Sequence, residues 1–124
     1  MKFKTEQVEK EWLMIPFPLR IIAEDFATKS KNEYNIECTV TRILEKVNGS
    51  SGVHEDYRGL DFRDQHGGSF LFSEAQRNEM LEYINEKYKR FDGKPSMIWH
   101  SFNGGAFHFH LQIPRDVLAY VKKA

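Results

Sequence analysis

The sequence predicts a small α+β fold, an antiparallel sheet with flanking helices. Three observations carry that prediction. Apolar residues recur at helical spacing after Pro16 and Pro18 and again after Ser73. Apolar and polar residues alternate with strand period over 36–47, 59–63 and 106–113. The breaks between strands carry hairpin chemistry, as in Asn103-Gly104-Gly105, rather than long crossovers.

Each element follows in order. Pro16 and Pro18 open a helix whose apolar positions are Leu19, Ile22, Ala23 and Phe26, ending near the polar stretch 30–35. Ile36, Val40, Thr41 and Ile43 mark a strand, which Asn48-Gly49-Ser50-Ser51-Gly52 terminates. A short strand at 59–63 sets Leu60 and Phe62 on one face and Asp61 on the other. Residues 64–68 form a turn, and 70–72 a second short strand. Ser73 and Gln76 form a capping box, and Met80, Leu81, Ile84, Tyr88 and Phe91 the apolar stripe behind it. Asp92-Gly93-Lys94-Pro95 stops that helix. Strands at 97–102 and 106–113 form a hairpin, and Pro114 opens a terminal helix with Val117, Leu118 and Val121. The predicted order is α, β, β, α, β, β, α, with hairpin connections.

At 124 residues the chain fits one domain, spanning 1–124. It carries 18 Lys+Arg against 18 Asp+Glu, with no basic arm or acidic tail. That balance argues against a nucleic-acid partner, since such binding neutralises many phosphates. It favours self-association and leaves the oligomeric state open. The basic residues Lys87, Lys89, Arg90 and Lys94 read as a solvated helix end. Cys38 is the only cysteine, so it is expected to act as a small core hydrophobe in a reducing compartment. No stretch has the apolar length of a membrane span, and the charged start lacks a secretory signal. The expectation is synthesis in the cytoplasm, with release to an outside target by other means.

Five His in so short a chain is the compositional oddity, and three fall between 100 and 110. His108 and His110 are two apart in a strand, so both imidazoles project from one face. His54 lies in a turn-rich loop, and Asp61 follows it by seven residues on a strand. Two imidazoles and a carboxylate suit zinc, and three protein ligands leave a fourth position open for water. Water on such an ion titrates near ~7, which gives a nucleophile at neutral pH.

The segments "SSGVHEDYRGLDFRD" and "WHSFNGGAFHFHLQI" resemble the zinc peptidases that cut D-alanine-containing bacterial cell-wall peptides. That family comprises D-alanyl-D-alanine carboxypeptidases, dipeptidases and bacteriophage L-alanyl-D-glutamate endopeptidases, and it shares its metal fold with the hedgehog signalling domain. The family pattern is S-x-H-x-x-G-x-A-x-D followed by a late H-x-H or E-x-x-H. His54 and Asp61 match the first His and the Asp, and His110 matches the late His. The resemblance covers roughly residues 36–113. It implies a zinc peptidase with His54, Asp61 and His110 as ligands, attack by a zinc-bound water, and a peptidoglycan peptide as substrate. Arg42 sits where many members carry an arginine toward substrate or oxyanion. His100, Ser51 and Glu55 are candidates for outer-shell or substrate contacts.

The sequence departs from the pattern at four places. Tyr57 and Gly59 stand at the glycine and alanine positions, and Ser51 is one place early, with Gly52 at the motif position. Many members carry an acid three before the late ligand, and here that residue is Phe107. Some members place a His two before the ligand, as His108 is, which makes His108 the candidate base or transition-state stabiliser. The departure at Phe107 keeps open a degenerate metal-binding domain and a bacteriophage structural or interaction domain. The same ligand types also accept manganese, cobalt or nickel.

Overall fold

A computed structural model describes residues 1–43, 57–101 and 104–114. The elements are β1 (Lys2–Phe3), α1 (Glu6–Trp12), α2 (Phe17–Tyr34), β2 (Thr39–Ile43), β3 (Gly59–Arg63), β4 (Gln65–His66), β5 (Ser69–Phe70), α3 (Glu74–Lys87), β6 (Met97–His100) and β7 (His108–Gln112). Five strands form one sheet in the order β1-β2-β3-β7-β6, and β4 and β5 form a separate hairpin. All pairs in the large sheet are antiparallel except β1 with β2. The α+β class is therefore as the sequence predicts.

The two long helices begin as the sequence predicts. Pro18 stands in the first turn of α2, and Asn35 closes that helix in the left-handed region at φ 57°. Ser73 caps α3 in a capping box completed by Gln76. Two elements were not legible. β1 is two residues long, and α1 buries only Val8 and Trp12, so neither shows a period. The parallel β1–β2 pair also corrects the expectation of hairpins throughout. Around Gly67 and Gly68 the hairpin joins Gln65–His66 to Ser69–Phe70 instead of a strand over 70–72. Phe72 goes into the core. The hairpin turn 103 and the predicted terminal helix after Pro114 lie outside the described residues.

One sheet face is apolar and packs on α2 and α3. Val40, Leu60, Phe62, Phe109, Leu111 and Met97 are buried there. Phe26 of α2 stacks on Phe62 at 4.6 Å and tilts onto Phe109 at 5.1 Å. Buried aromatics of this size dominate core energetics. Cys38 is buried with them, as expected, and burial pushes its thiol up to about 11.

Polar side chains fix α3 against this layer. Asp64, fully buried, accepts hydrogen bonds from Phe72 N at 3.0 Å, Arg77 Nε at 2.8 Å and Trp99 Nε1 at 2.9 Å. Asn85 accepts from the amides of Ser96 and Met97 and donates to the Met97 carbonyl, which docks α3 on β6. Asp25 joins α2 to α3 through Tyr83, Tyr88 and Lys87. Burial alone would raise the Asp25 pKa, but those donors hold it below the ordinary carboxylate value. The basic cluster after α3 is not simply solvated: Lys87 pairs with Asp25, and Arg90 is buried against Asp92.

The other sheet face is polar, and strand pairing arranges it in rows. Asp61 lies opposite His110, and His110 opposite Ile98. Two residues along, Arg63 lies opposite His108, and His108 opposite His100. On β2 the ladder shifts between Val40 and Arg42, with Val40 opposite Phe62 and Arg42 opposite Asp61. Thr41 is the extra residue of this β-bulge. Val40 and Ile43 stay buried while Thr41 and Arg42 are not.

Candidate metal and acid–base site

Period-two alternation brings Asp61, His108 and His110 together on the polar face, as the sequence predicts. His110 Nδ1 and Asp61 Oδ1 are 2.7 Å apart, a charge-assisted hydrogen bond in length. The second carboxylate oxygen, Oδ2, faces His108 Nε2 at 3.5 Å. One carboxylate thus addresses two imidazoles, one on each oxygen.

The outer nitrogens are held as well. His110 Nε2 lies 3.1 Å from Gln112 Oε1, and His108 Nδ1 lies 3.1 Å from the Ala106 carbonyl. A carbonyl accepts only, so His108 carries its proton on Nδ1 and turns Nε2 toward Asp61. Protonated on both nitrogens, His110 donates to Asp61 and Gln112 together. In the neutral form with Nδ1–H toward Asp61, its Nε2 presents a lone pair. Asp61 and His110 are both buried, so these contacts are shielded from bulk water.

His100 stands beside the pair as part of the same cluster. Its ring lies edge-on to His108 at 4.6 Å and to His110 at 5.6 Å. Its Nε2 is buried without a hydrogen-bond partner. Burial first, then the neighbouring His108 and His110, hold its pKa below the ordinary imidazole value. His100 therefore packs across the strands against both imidazoles of the cluster.

Arg42 is exposed and sits in register with Asp61 on the neighbouring strand. Phe107, at the position of the family's acid, stacks on Trp99 at 4.2 Å. The predicted ligand His54 and the candidates Ser51 and Glu55 lie outside the described residues. Two residues of the polar face went unread in the sequence. Gln112 orients His110, and Arg63 shares the Asp61 face two residues on. The period-two rule that found Asp61 also points to Arg63, whereas Gln112 carries no signal of its own.

Zinc bonds to nitrogen and oxygen at about 2.0–2.1 Å, so two donors on one tetrahedral ion stand about 3.3 Å apart. The His108–Asp61 separation of 3.5 Å is near that value, while the 2.7 Å His110–Asp61 pair is bonded to itself. Among the described residues no group of three or more His, Cys, Asp or Glu side chains is arranged around an ion. In kind, the donors suit zinc: two imidazoles, His110 buried and His108 half-buried, and the buried Asp61 carboxylate on one face. Among the described residues no helix is long and apolar enough to cross a membrane. No family model, no curated protein and no solved structure matches this chain.

Proposed function

We propose that this chain is a zinc-dependent peptidase acting on bacterial cell-wall peptides. The observation that supports it is the buried Asp61 carboxylate set between His110 and His108 on the polar sheet face. Asp61 and His110, with His54, would hold the metal. When bound, zinc supplies a Lewis acid for the scissile carbonyl and acidifies a water beside it.

The chain's own groups have separate tasks. His108, fixed by Ala106 with Nε2 inward, takes and returns a proton at Nε2. Asp61 stabilises the imidazolium that forms. Arg42 offers its guanidinium to the oxygen on which charge develops. His100, kept neutral, adds bulk without competing positive charge.

Metal analysis of the purified protein and turnover of muropeptides test this reading. Stoichiometric zinc, lost together with hydrolysis in His110→Ala, is the expected result. Protein that neither contains nor takes up metal overturns it. Phe107 favours a second reading, a metal-binding domain without catalysis, because its packing on Trp99 leaves no carboxylate at that place. Zinc bound without turnover, and hydrolysis gained in Phe107→Glu, would select that alternative.

A further inference from the structure

Between residues 12 and 22 the only polar side chain is Arg20. This stretch builds the corner between α1 and α2, and the core takes only part of it. Trp12, Ile15, Leu19 and Ile22 are buried. Leu13, Met14, Phe17 and Ile21 are instead 70, 63, 70 and 43% exposed. They are half of the eight large hydrophobic side chains exposed among the described residues. Further along α2 the exposed positions are polar, among them Glu24, Thr28, Lys31 and Asn32. An outward helix face is ordinarily polar along its whole length, so the apolar start of α2 is out of place on a free surface.

We propose that this corner is the contact between two copies of the chain, related by a two-fold axis near Phe17. Area is the first argument. At about 180–200 Å² for a free side chain of this size, the four expose about 450 Å² together. An apolar patch of roughly 300–600 Å² is the largest on a typical monomer and often marks an interaction site. Patch on patch, two copies bury about 900 Å² from these side chains alone. Lys10 and Glu24 at the rim carry the total past the roughly 1,000 Å² that a specific interface needs.

Charge is the second argument. The exposed charges beside the patch are Glu6, Glu9, Lys10 and Glu24. Helices that lie on membranes carry Lys and Arg there, so a lipid surface is the poorer match. Lys10 precedes Phe17 by seven residues and Glu24 follows it by seven. A two-fold axis near Phe17 lays the α1 end of one patch on the α2 end of the other. Lys10 of each copy then meets Glu24 of the other. Lys10 is free to do so, since its contact with Glu6 is long at 3.9 Å and both side chains are largely exposed. With 18 basic and 18 acidic residues, two copies approach without net repulsion.

The corner is also held in shape before any partner arrives. Arg20 Nη2 donates to the Trp12 carbonyl at 3.0 Å, and its guanidinium lies 5.4 Å from the centre of the Trp12 ring. The buried Trp12, Ile15, Leu19 and Ile22 anchor the same turn from inside. A preformed surface lowers the ordering cost of association.

Sedimentation velocity of the full chain tests the contact. An interface of this size is expected to associate in the micromolar range, so dimer should replace monomer between about 1 and 500 µM. Phe17→Asp should weaken the dimer at least about tenfold, as for a central apolar anchor, with circular dichroism unchanged. Leu13→Ser should weaken it in the same direction. Lys10→Glu and Glu24→Lys should each loosen the dimer, and the two together should restore it. A chain that stays monomeric throughout overturns the proposal, as does a dimer that Phe17→Asp leaves unchanged. A double exchange no tighter than either single change overturns the two-fold arrangement. Flotation of the chain with phosphatidylcholine vesicles, lost in Phe17→Asp, assigns the patch to lipid and overturns it as well. So does a monomer in which Phe17→Asp speeds tryptic cleavage at Arg115, which assigns the patch to the chain's own residues 115–124.

Discussion

Asp61 and His110 are 49 residues apart in sequence and meet across β3 and β7, with Nδ1 2.7 Å from Oδ1. The bond turns His110 Nδ1 to the carboxylate and leaves Nε2, 3.1 Å from Gln112 Oε1, as the nitrogen that would meet a metal. Replacing Asp61 with Asn removes the charge and leaves a single oxygen for two His neighbours. On the proposed zinc site, affinity is expected to fall by at least about tenfold. Competition with a chromogenic chelator measures this, and circular dichroism checks that the fold persists. Unchanged affinity would remove Asp61 from the metal site.

Asp64 faces the opposite way from Asp61, three residues on, and its role is structural. It is fully buried and accepts from Phe72, Arg77 and Trp99. Asp64→Ala strands the Arg77 guanidinium and is expected to cost about 3–5 kcal/mol. Urea unfolding measures the loss. A cost below about 1 kcal/mol would show the network to be dispensable.

His100 couples stability to mild acid. Its folded pKa lies below the ordinary 6.5, because burial and its His neighbours disfavour the charged form. An unfolded His protonates around 6.5. Below that pH the unfolded chain binds more protons, so the contribution of His100 to stability is lost as pH falls. Unfolding followed between pH 7 and 5 should show a shallower decline for His100→Asn than for the wild type. Parallel slopes would exclude His100 as the cause.

Cys38 should be inert in the native protein. Burial raises its thiol pKa to about 11, with a hydrogen bond from Ser30 partly offsetting the rise. The thiolate is the reactive form, so Ellman's reagent at pH 8 should label the native chain far more slowly than the urea-unfolded one. The same shift means that stability falls as pH rises past the unfolded thiol range of about 8.5. Equal labelling rates in the two states would contradict both statements.

What was legible in the sequence followed from local periodicity. The strand Gly59–Arg63 and the capping box at Ser73 stand where the residues put them, because each is set by neighbours two to four positions away. Alternation also sufficed to send Asp61, His108 and His110 to one face. It did not bring in β1, whose pairing with β2 is decided by contacts far along the chain. Lys4, whose amide bonds the Val40 carbonyl, shares one surface recess with Thr41, Arg63 and His108, and no spacing rule places it there. The hairpin at 65–70 was misplaced because Phe70 and Phe72 read alike by composition. Only the core distinguishes them, burying Phe72 and leaving Phe70 exposed.

The bulge on β2 has a consequence for the length of that strand. Val40 and Ile43 both enter the core, with Thr41 and Arg42 between them. Removing Thr41 would leave Val40, Arg42 and Ile43 in plain alternation, with both apolar residues still inward and Arg42 still beside Asp61. The core therefore has no need of the extra residue. Thr41 instead lines the recess and hydrogen-bonds the Asp61 carbonyl at 3.4 Å. A chain shortened by that one codon should still fold, with its core intact and its recess opened on one side. Foldability and the shape of that recess are then separable at a single inserted residue.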